Sequence, residues 1–341
     1  MKERKADHIK ISLEKPIEVG GNGFGDITLV HCAAPEVSLE EIDFSTSFMG
    51  KKLKYPILIE AITGGTDEAM LINEAFAGVA GELGIGISVG SQRPAIEDPS
   101  LAKTYNVINK PAKDTLKIAN LGAVQLNYDY GVEECRKAVD MIGADALALH
   151  FNALQEVIQP EGNTNFASLL SKAGEVCRTL SVPVIGKEVG CGISKGVTQR
   201  MLAVGFKGLD IGGYGGTSWN RIESYRAAEA KRVLSQSFDT WGIPTAYSLL
   251  QVRGLSCPKI ASGGIRNGLE AAKAIAMGAD IVGIALPLLK ALDKGGQDGV
   301  MDYLHTFIEE LQLAMFLTGS KSIASLKKAE YKISGEAQNW T

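Results

Sequence analysis

PILIEA, Pro56–Ala61, is a short aliphatic run followed directly by the polar, glycine-rich turn Thr63-Gly64-Gly65. Continuous apolar runs of this length suit strands buried on both faces of a parallel sheet. The same kind of run recurs downstream as IGISV (Ile85–Val89), LKIAN (Leu116–Asn120), DALALH (Asp145–His150), VPVIGKE (Val182–Glu188), LDIGG (Leu209–Gly213), KIAS (Lys259–Ser262) and DIVGIA (Asp280–Ala285). Between them lie amphipathic stretches such as EAMLINEAFAGVAGELG, VEECRKAVDMIG, NFASLLSKAGEVCRTL, GVTQRMLAVG and LEAAKAIAMGA. Several end on a glycine, a common helix stop. Eight buried strands alternating with helices predict an α/β fold, a (β/α)8 TIM barrel. The alternative, a doubly wound open sheet, would place GxGxxG directly after the first strand. That position lacks it, and the earlier GGNGFGD (Gly20–Asp26) reads as a loop.

Outward from the barrel, residues 1–54 read as an N-terminal extension with a strand-like DITLVH (Asp26–His31). Residues 55–341 read as the barrel, closed by a final helix after Leu292 and a loose end. No internal linker divides the chain, so one domain is expected.

The 341 residues are 45% hydrophobic and 22% charged, with a formal net charge of -4. That balance argues against broad electrostatic binding of nucleic acid, which needs a basic face. Five scattered cysteines with no CxxC pair suggest free thiols in a reducing compartment. The basic start MKERKADHIK is followed by no apolar core of a signal peptide, and no apolar run reaches the ~20 residues of a membrane span. A cytoplasmic protein follows as the expectation.

In such barrels the active site lies at the C-terminal ends of the strands. Those ends are unusually polar here: Thr63-Gly64-Gly65, Ser91-Gln92-Arg93, Asn120, His150 to Glu156, Lys187, Gly212 to Thr217, and Gly263-Gly264. Turn chemistry accounts for any one of them, but not easily for the ensemble. SGGIRNG (Ser262–Gly268) and the segment after Ala285 end strands seven and eight, where barrels commonly bind phosphate. Glycine would let backbone N–H groups approach the anion, with Arg266 adding charge; a plain tight turn is the bland reading. Lys187 ends an aliphatic strand and must meet an anion or a carboxylate such as Glu188. In HFNALQEVIQPEGNTNF, one carboxylate beside amides and an imidazole suits a diphosphate bridged by Mg2+. Arg4 and His8 would share one face of a helical turn with Lys5 beside them, either as a solvated basic tail or as part of a site.

Together these motifs resemble the type 2 isopentenyl-diphosphate isomerase family: RKADH, AITGG, SVGSQR, ANLGAVQ, HFNALQEVIQPEG, GKEVGCGIS, DIGGYGGTSW and ASGGIRNG, spread over nearly the whole chain. The HxNxxQE…QPEG run and the GGTSW loop carry the specificity; GGIR is shared with other FMN barrels. The resemblance implies FMN held by Ile62, Thr63, Gly64, Ser91, Asn120, Lys187, Thr217, Gly263, Gly264, Arg266, Ala285 and Leu286. It implies substrate contacts from Arg4, Lys5, His8, Arg93, His150, Asn152 and Gln155, with Glu156 on Mg2+. It also implies a homo-oligomer, tetrameric or octameric, with NAD(P)H reducing the flavin. The basic cluster would act in its own subunit or a neighbour's. Asn163, Asn165 and Val189 depart from the family pattern and put loop details in question.

The implied reaction is a 1,3-proton shift from isopentenyl to dimethylallyl diphosphate, in isoprenoid biosynthesis. Reduced FMN is expected as the acid–base group, Lys187 stabilising its anionic form, Gln155 positioning the substrate and His150 assisting. Two rival readings share the barrel. An FMN-dependent 2-hydroxy-acid oxidase would need a histidine base, which GGYGGTSW lacks. A non-catalytic phosphate-ligand binding protein would bind FMN without turning over any isoprenoid.

Overall fold

The computed structural model describes residues 2–341, with side chains from residue 4 onward. The side chain of Lys2, part of the basic N-terminal run, lies outside the described residues. The eight predicted runs all form strands: Ile57–Ile59, Gly86–Ser88, Lys117–Gly122, Ala146–Phe151, Val184–Glu188, Gly208–Asp210, Lys259–Ser262 and Ile281–Ile284. They are parallel, pair in sequence order, and close when Val282 on strand eight registers with Ile57 on strand one. The fold is a (β/α)8 barrel.

Local chemistry places the helices between them. Thr66 caps the helix Asp67–Leu83 by accepting the Ala69 N–H at 3.1 Å, and Gly84 ends it at φ 66°. Left-handed backbone of that kind suits glycine. Ser194 and Gly205 bracket Lys195–Val204 in the same way.

Inside the barrel, Leu58, Ile118, Ile185, Ile260 and Ile281 are almost completely buried and pack with Phe48 and Leu53. The last two belong to an antiparallel hairpin, Thr46–Phe48 with Lys51–Leu53. Met49 of this hairpin reaches Gly208 at the start of strand six, and Lys51 pairs with Asp145 at the start of strand four (3.3 Å). The hairpin therefore plugs the N-terminal end of the barrel. Each such side chain contributes about 1.5–3 kcal/mol by leaving water.

The C-terminal segment differs from the expected loose end. Tyr331–Ile333 forms a strand antiparallel to Ile27–Leu29, and Trp340 stacks on Tyr247 with ring centroids 5.9 Å apart. Ile27 is fully buried beneath this pairing. A three-residue strand carries too little alternation to be read from sequence. The closing helix also begins earlier than expected, running Leu286–Leu317 with non-helical backbone at Gly295 and Gly296. Among the described residues, no helix is long and apolar enough to cross a membrane.

Candidate active site

A cleft of about 1450 Å³, counting its open mouth, lies at the C-terminal ends of the strands. Nearly all of the site residues expected from the sequence line it: Arg4, Lys5, His8, Ile62, Ser91, Arg93, Asn120, His150, Asn152, Gln155, Glu156, Lys187, Thr217, Gly263, Gly264, Arg266, Ala285 and Leu286. Thr63 and Gly64 are not among the lining residues. Thr63 is buried, and Gly64 lies so close to the Tyr105 ring that a Cβ would collide with it.

Strand register builds the floor. His150 pairs with Lys187, and Lys187 with Asp210, across strands four, five and six. The Lys187 ammonium meets Glu60 Oε2 at 3.0 Å and Asp210 Oδ2; Asp210 Oδ1 also accepts the Ser262 hydroxyl. Burial alone would favour a neutral lysine, but the charges of Asp210 and Glu60 outweigh it and raise the pKa, so Lys187 is an ammonium. Its partners are Glu60 and Asp210, not Glu188. The Glu188 carboxylate instead accepts the N–H groups of Val189 (2.7 Å) and Gly190 (2.8 Å) and that of Cys191, bracing the loop after strand five.

His150 is neutral. Burial, then the charges of Lys5 and Lys187, push its pKa down to about 3. The Asn120 amide nitrogen donates to Val89, which leaves Asn120 Oδ1 to accept from His150 Nδ1 at 2.8 Å. Nδ1 then carries the proton and Nε2 is free as an acceptor.

The helix Ala153–Ile158 presents Gln155 and Glu156. Asn152 Nδ2 donates to Gln155 Oε1 and to Glu156 Oε1, both at 3.0 Å. Gln155 Nε2 donates to Glu223 Oε1 at 2.9 Å. Glu223, on the helix Trp219–Arg226, is fully buried and also receives His8 Nε2 at 2.9 Å and Arg226 at 2.7 Å. Burial would raise its pKa; the bond from His8, with those from Gln155 and Arg226, brings it down to about 2.

The helix Lys2–Glu14 covers the mouth with Arg4, Lys5 and His8, while the His8 ring meets the Trp219 edge at 5.1 Å between centroids. Lys5 is buried, and burial together with the neighbouring Arg4 charge lowers its pKa to about 8. Among the described residues, neither Arg4 nor Lys5 has a carboxylate within ion-pair distance, and Arg4 Nε is buried without a partner. Arg93 is partly committed already, donating to Glu97 at 2.7 Å and to Asn163 Oδ1 at 3.1 Å.

Gly263 and Gly264 have φ of 102° and 77°, and a Cβ on either would strike the backbone of Gly213 or Gly215. Among the described residues their N–H groups make no hydrogen bond. Uncommitted amides on a left-handed turn form an anion-binding concavity. Leu286 opens the long closing helix beside it, where the helix dipole favours an anion. Arg266, expected to lend charge, is instead paired with Glu18, which also holds Lys290 at 3.0 Å. The pull on a phosphate here is therefore mainly backbone. These features fit the phosphate of FMN, with Lys187 as the cation for its ring.

Glu156 fits a hydrated divalent cation. Its oxygens accept from Asn152, Gln159 and Asn163, yet a carboxylate has about four acceptor sites. The buried Asn152 Oδ1 beside it has no partner. Among the described residues no cluster of three His, Cys, Asp or Glu forms a cage. Mg2+ commonly needs only one or two carboxylates, completing its shell with waters and substrate phosphate.

Sequence reasoning did not single out Glu60, Asp210 or Glu223. The first two were visible as carboxylates inside the otherwise aliphatic PILIEA and LDIGG. Glu223, in the polar run WNRIESYR, gives no such signal.

A phosphate cradle after strands seven and eight, with a buried lysine on the floor, defines the class of FMN-dependent barrel enzymes, and the family model for FMN-dependent dehydrogenase matches residues 158–332. Solved structures of that shape include a mandelate oxidase with a C4a-OH-FMN adduct (TM-score 0.66, 18% identity, 98% of each chain). A lactate oxidase of Pediococcus acidilactici is another (TM-score 0.63, 17% identity, 96% of this chain and 87% of the other). At such identities the likeness is one of fold. Sequence relatives are much nearer. The isopentenyl-diphosphate delta-isomerase of Nostoc sp. is 46% identical over 95% of this chain and 93% of its own. That of Sulfurisphaera tokodaii is 46% identical over 99% and 93%. The chain belongs to the isopentenyl-diphosphate delta-isomerase family, a family of enzymes.

Proposed function

We propose that this enzyme converts isopentenyl diphosphate to dimethylallyl diphosphate by a 1,3-proton shift, using reduced FMN and Mg2+, with NAD(P)H as the external reductant. The observation that carries this reading is the presence of two separate anion sites in one cleft. A neutral backbone cradle at Gly263-Gly264 suits the cofactor phosphate. The buried Lys5 and the half-buried Arg4, without carboxylate partners among the described residues, suit a second and more highly charged anion.

Bound in its reduced state, FMN would supply an electron-rich face and a proton-bearing nitrogen. An unactivated alkene is a weak base, and its protonation creates a tertiary cation-like centre that water would trap. Ile9, Ile62, Trp219, Leu286 and Leu289 give the cleft apolar walls that exclude water. Lys187 balances negative charge at the floor. Gln155, held at both ends of its amide by Asn152 and Glu223, positions the alkene. Arg4, Lys5, His8 and Arg93 take the diphosphate, His150 joins them once the anion's charge draws a proton onto Nε2, and Glu156 with Asn152 Oδ1 would hold the metal. In this reading the N-terminal extension is part of the catalytic unit, and the working form is a cytoplasmic homo-oligomer.

Titration of the FMN-loaded enzyme with inorganic diphosphate and Mg2+ tests the two-site reading. Each cation-assisted hydrogen bond is worth about 1.5–3 kcal/mol, so Lys5→Gln weakens diphosphate binding by roughly ten- to a hundredfold and leaves FMN affinity in place. Unchanged diphosphate affinity contradicts the reading.

A further inference from the structure

Two carboxylates, Glu60 and Asp210, share the single ammonium of Lys187 in a buried cluster on the floor of the cleft. With all three ionised the cluster carries net negative charge. Like charges at close range in a low dielectric cannot both ionise without cost. The two acids are not equivalent. Asp210 receives both the Ser262 hydroxyl and the ammonium. Glu60 receives the ammonium and the Ala61 N–H (3.1 Å) at Oε2, whereas its Oε1 is buried without a partner and lies over Gly283; the residue lines the cleft. The ionisable groups facing Glu60 are Lys187 from strand five and Asp210 from strand six; strands seven and eight offer Ser262 and Gly283, which do not titrate.

We infer that Glu60 is the proton-binding group of the cofactor pocket, taking up and keeping a proton from solvent when an anionic ring draws on the charge of Lys187. This rests on the FMN reading above and adds a residue to it. Burial, followed by the charge of Asp210, raises the Glu60 pKa to about 7 against the pull of Lys187, so its proton is exchangeable near neutrality. The balance closes. A two-electron donor such as reduced nicotinamide or dithionite reduces the cofactor, the ring takes one proton, and Glu60 takes a second from bulk water. The added negative charge is compensated without breaking the Lys187–Asp210 pair. Glu60 acts through Lys187 and Asp210, so it is a positioning and charge-balancing residue.

The test is a spectroelectrochemical titration of FMN-loaded enzyme, reading protons bound per electron pair from the dependence of midpoint potential on pH. Above pH 7, linkage predicts about two protons per electron pair in the wild type with an anionic reduced-flavin spectrum, and about one in Glu60→Gln, whose amide mimics the protonated acid. Infrared difference spectra on reduction should show a carboxylic-acid carbonyl band that is absent in Glu60→Gln. If Glu60→Gln does not fold, Asp210→Asn serves: without the neighbouring charge, the second proton disappears. An unchanged proton count in Glu60→Gln, or a wild type that takes only one, overturns the inference and leaves FMN binding standing. A wild type that binds no FMN overturns the cofactor reading and this inference with it.

Discussion

His8 on the N-terminal helix and Glu223 on the helix after strand six meet at 2.9 Å, although 215 residues apart in sequence, and Glu223 in turn holds the amide of Gln155. One buried carboxylate thus ties the cover of the cleft to the side chain at its centre. Removing it leaves His8, Gln155 and Arg226 without their shared acceptor.

Glu223→Ala is therefore expected to destabilise the fold by about 1–3 kcal/mol, the usual cost of leaving a buried donor without its acceptor, since Arg226 keeps Asp7 and Glu161. Hydrogen exchange should accelerate first in residues 4–14. Uniform acceleration over the whole barrel would mean that Glu223 supports the core and not the helix.

How the fold was legible, and where it was not, follows from the same residues. Each barrel strand betrays itself because both of its faces are buried, so the hydrophobic run is continuous and needs no partner to be read. The glycine-rich strand ends were legible for a related reason, since left-handed turns leave a compositional trace. Pairings such as His8 with Glu223, or Lys187 with Glu60 and Asp210, leave none. A glutamate facing a buried cation is spelled the same as one facing water. The commitment of Arg266 to Glu18 was hidden for the same reason, and the strand Tyr331–Ile333 was too short to show a period.

Gly263→Ala should weaken FMN binding at least tenfold and lower stability by about 1–3 kcal/mol, because φ is 102° and the new Cβ meets the Gly213 backbone. Gly25→Ala is the control, with no atom near its Cβ. Fluorescence titration of FMN and thermal unfolding of both variants check this. Equal behaviour of the two would remove the cradle from the account.

Gln155→Ala should lower kcat by about a hundredfold or more while FMN and diphosphate affinities change only a few-fold, since mispositioning a reacting group by about an ångström costs that much. A fall in diphosphate affinity with kcat retained would assign Gln155 to binding.

His150 gives a pH prediction. Its imidazole titrates near 6.5 when unfolded and is pushed down to about 3 in the fold, so between these values the unfolded chain holds a proton that the native state lacks. The stability it contributes is intact above pH 6.5 and declines as pH falls toward 3. Urea unfolding at pH 8 and pH 5 should show wild type losing about 2 kcal/mol more than His150→Gln. Parallel losses would mean that the native imidazole is charged.

The central claim is the reaction itself, tested by incubating purified enzyme anaerobically with FMN, Mg2+, dithionite and isopentenyl diphosphate and following the product by NMR. The account predicts dimethylallyl diphosphate only when the flavin is reduced. Product formed equally with oxidised flavin, or bound FMN with no isomer formed under reduction, would contradict it.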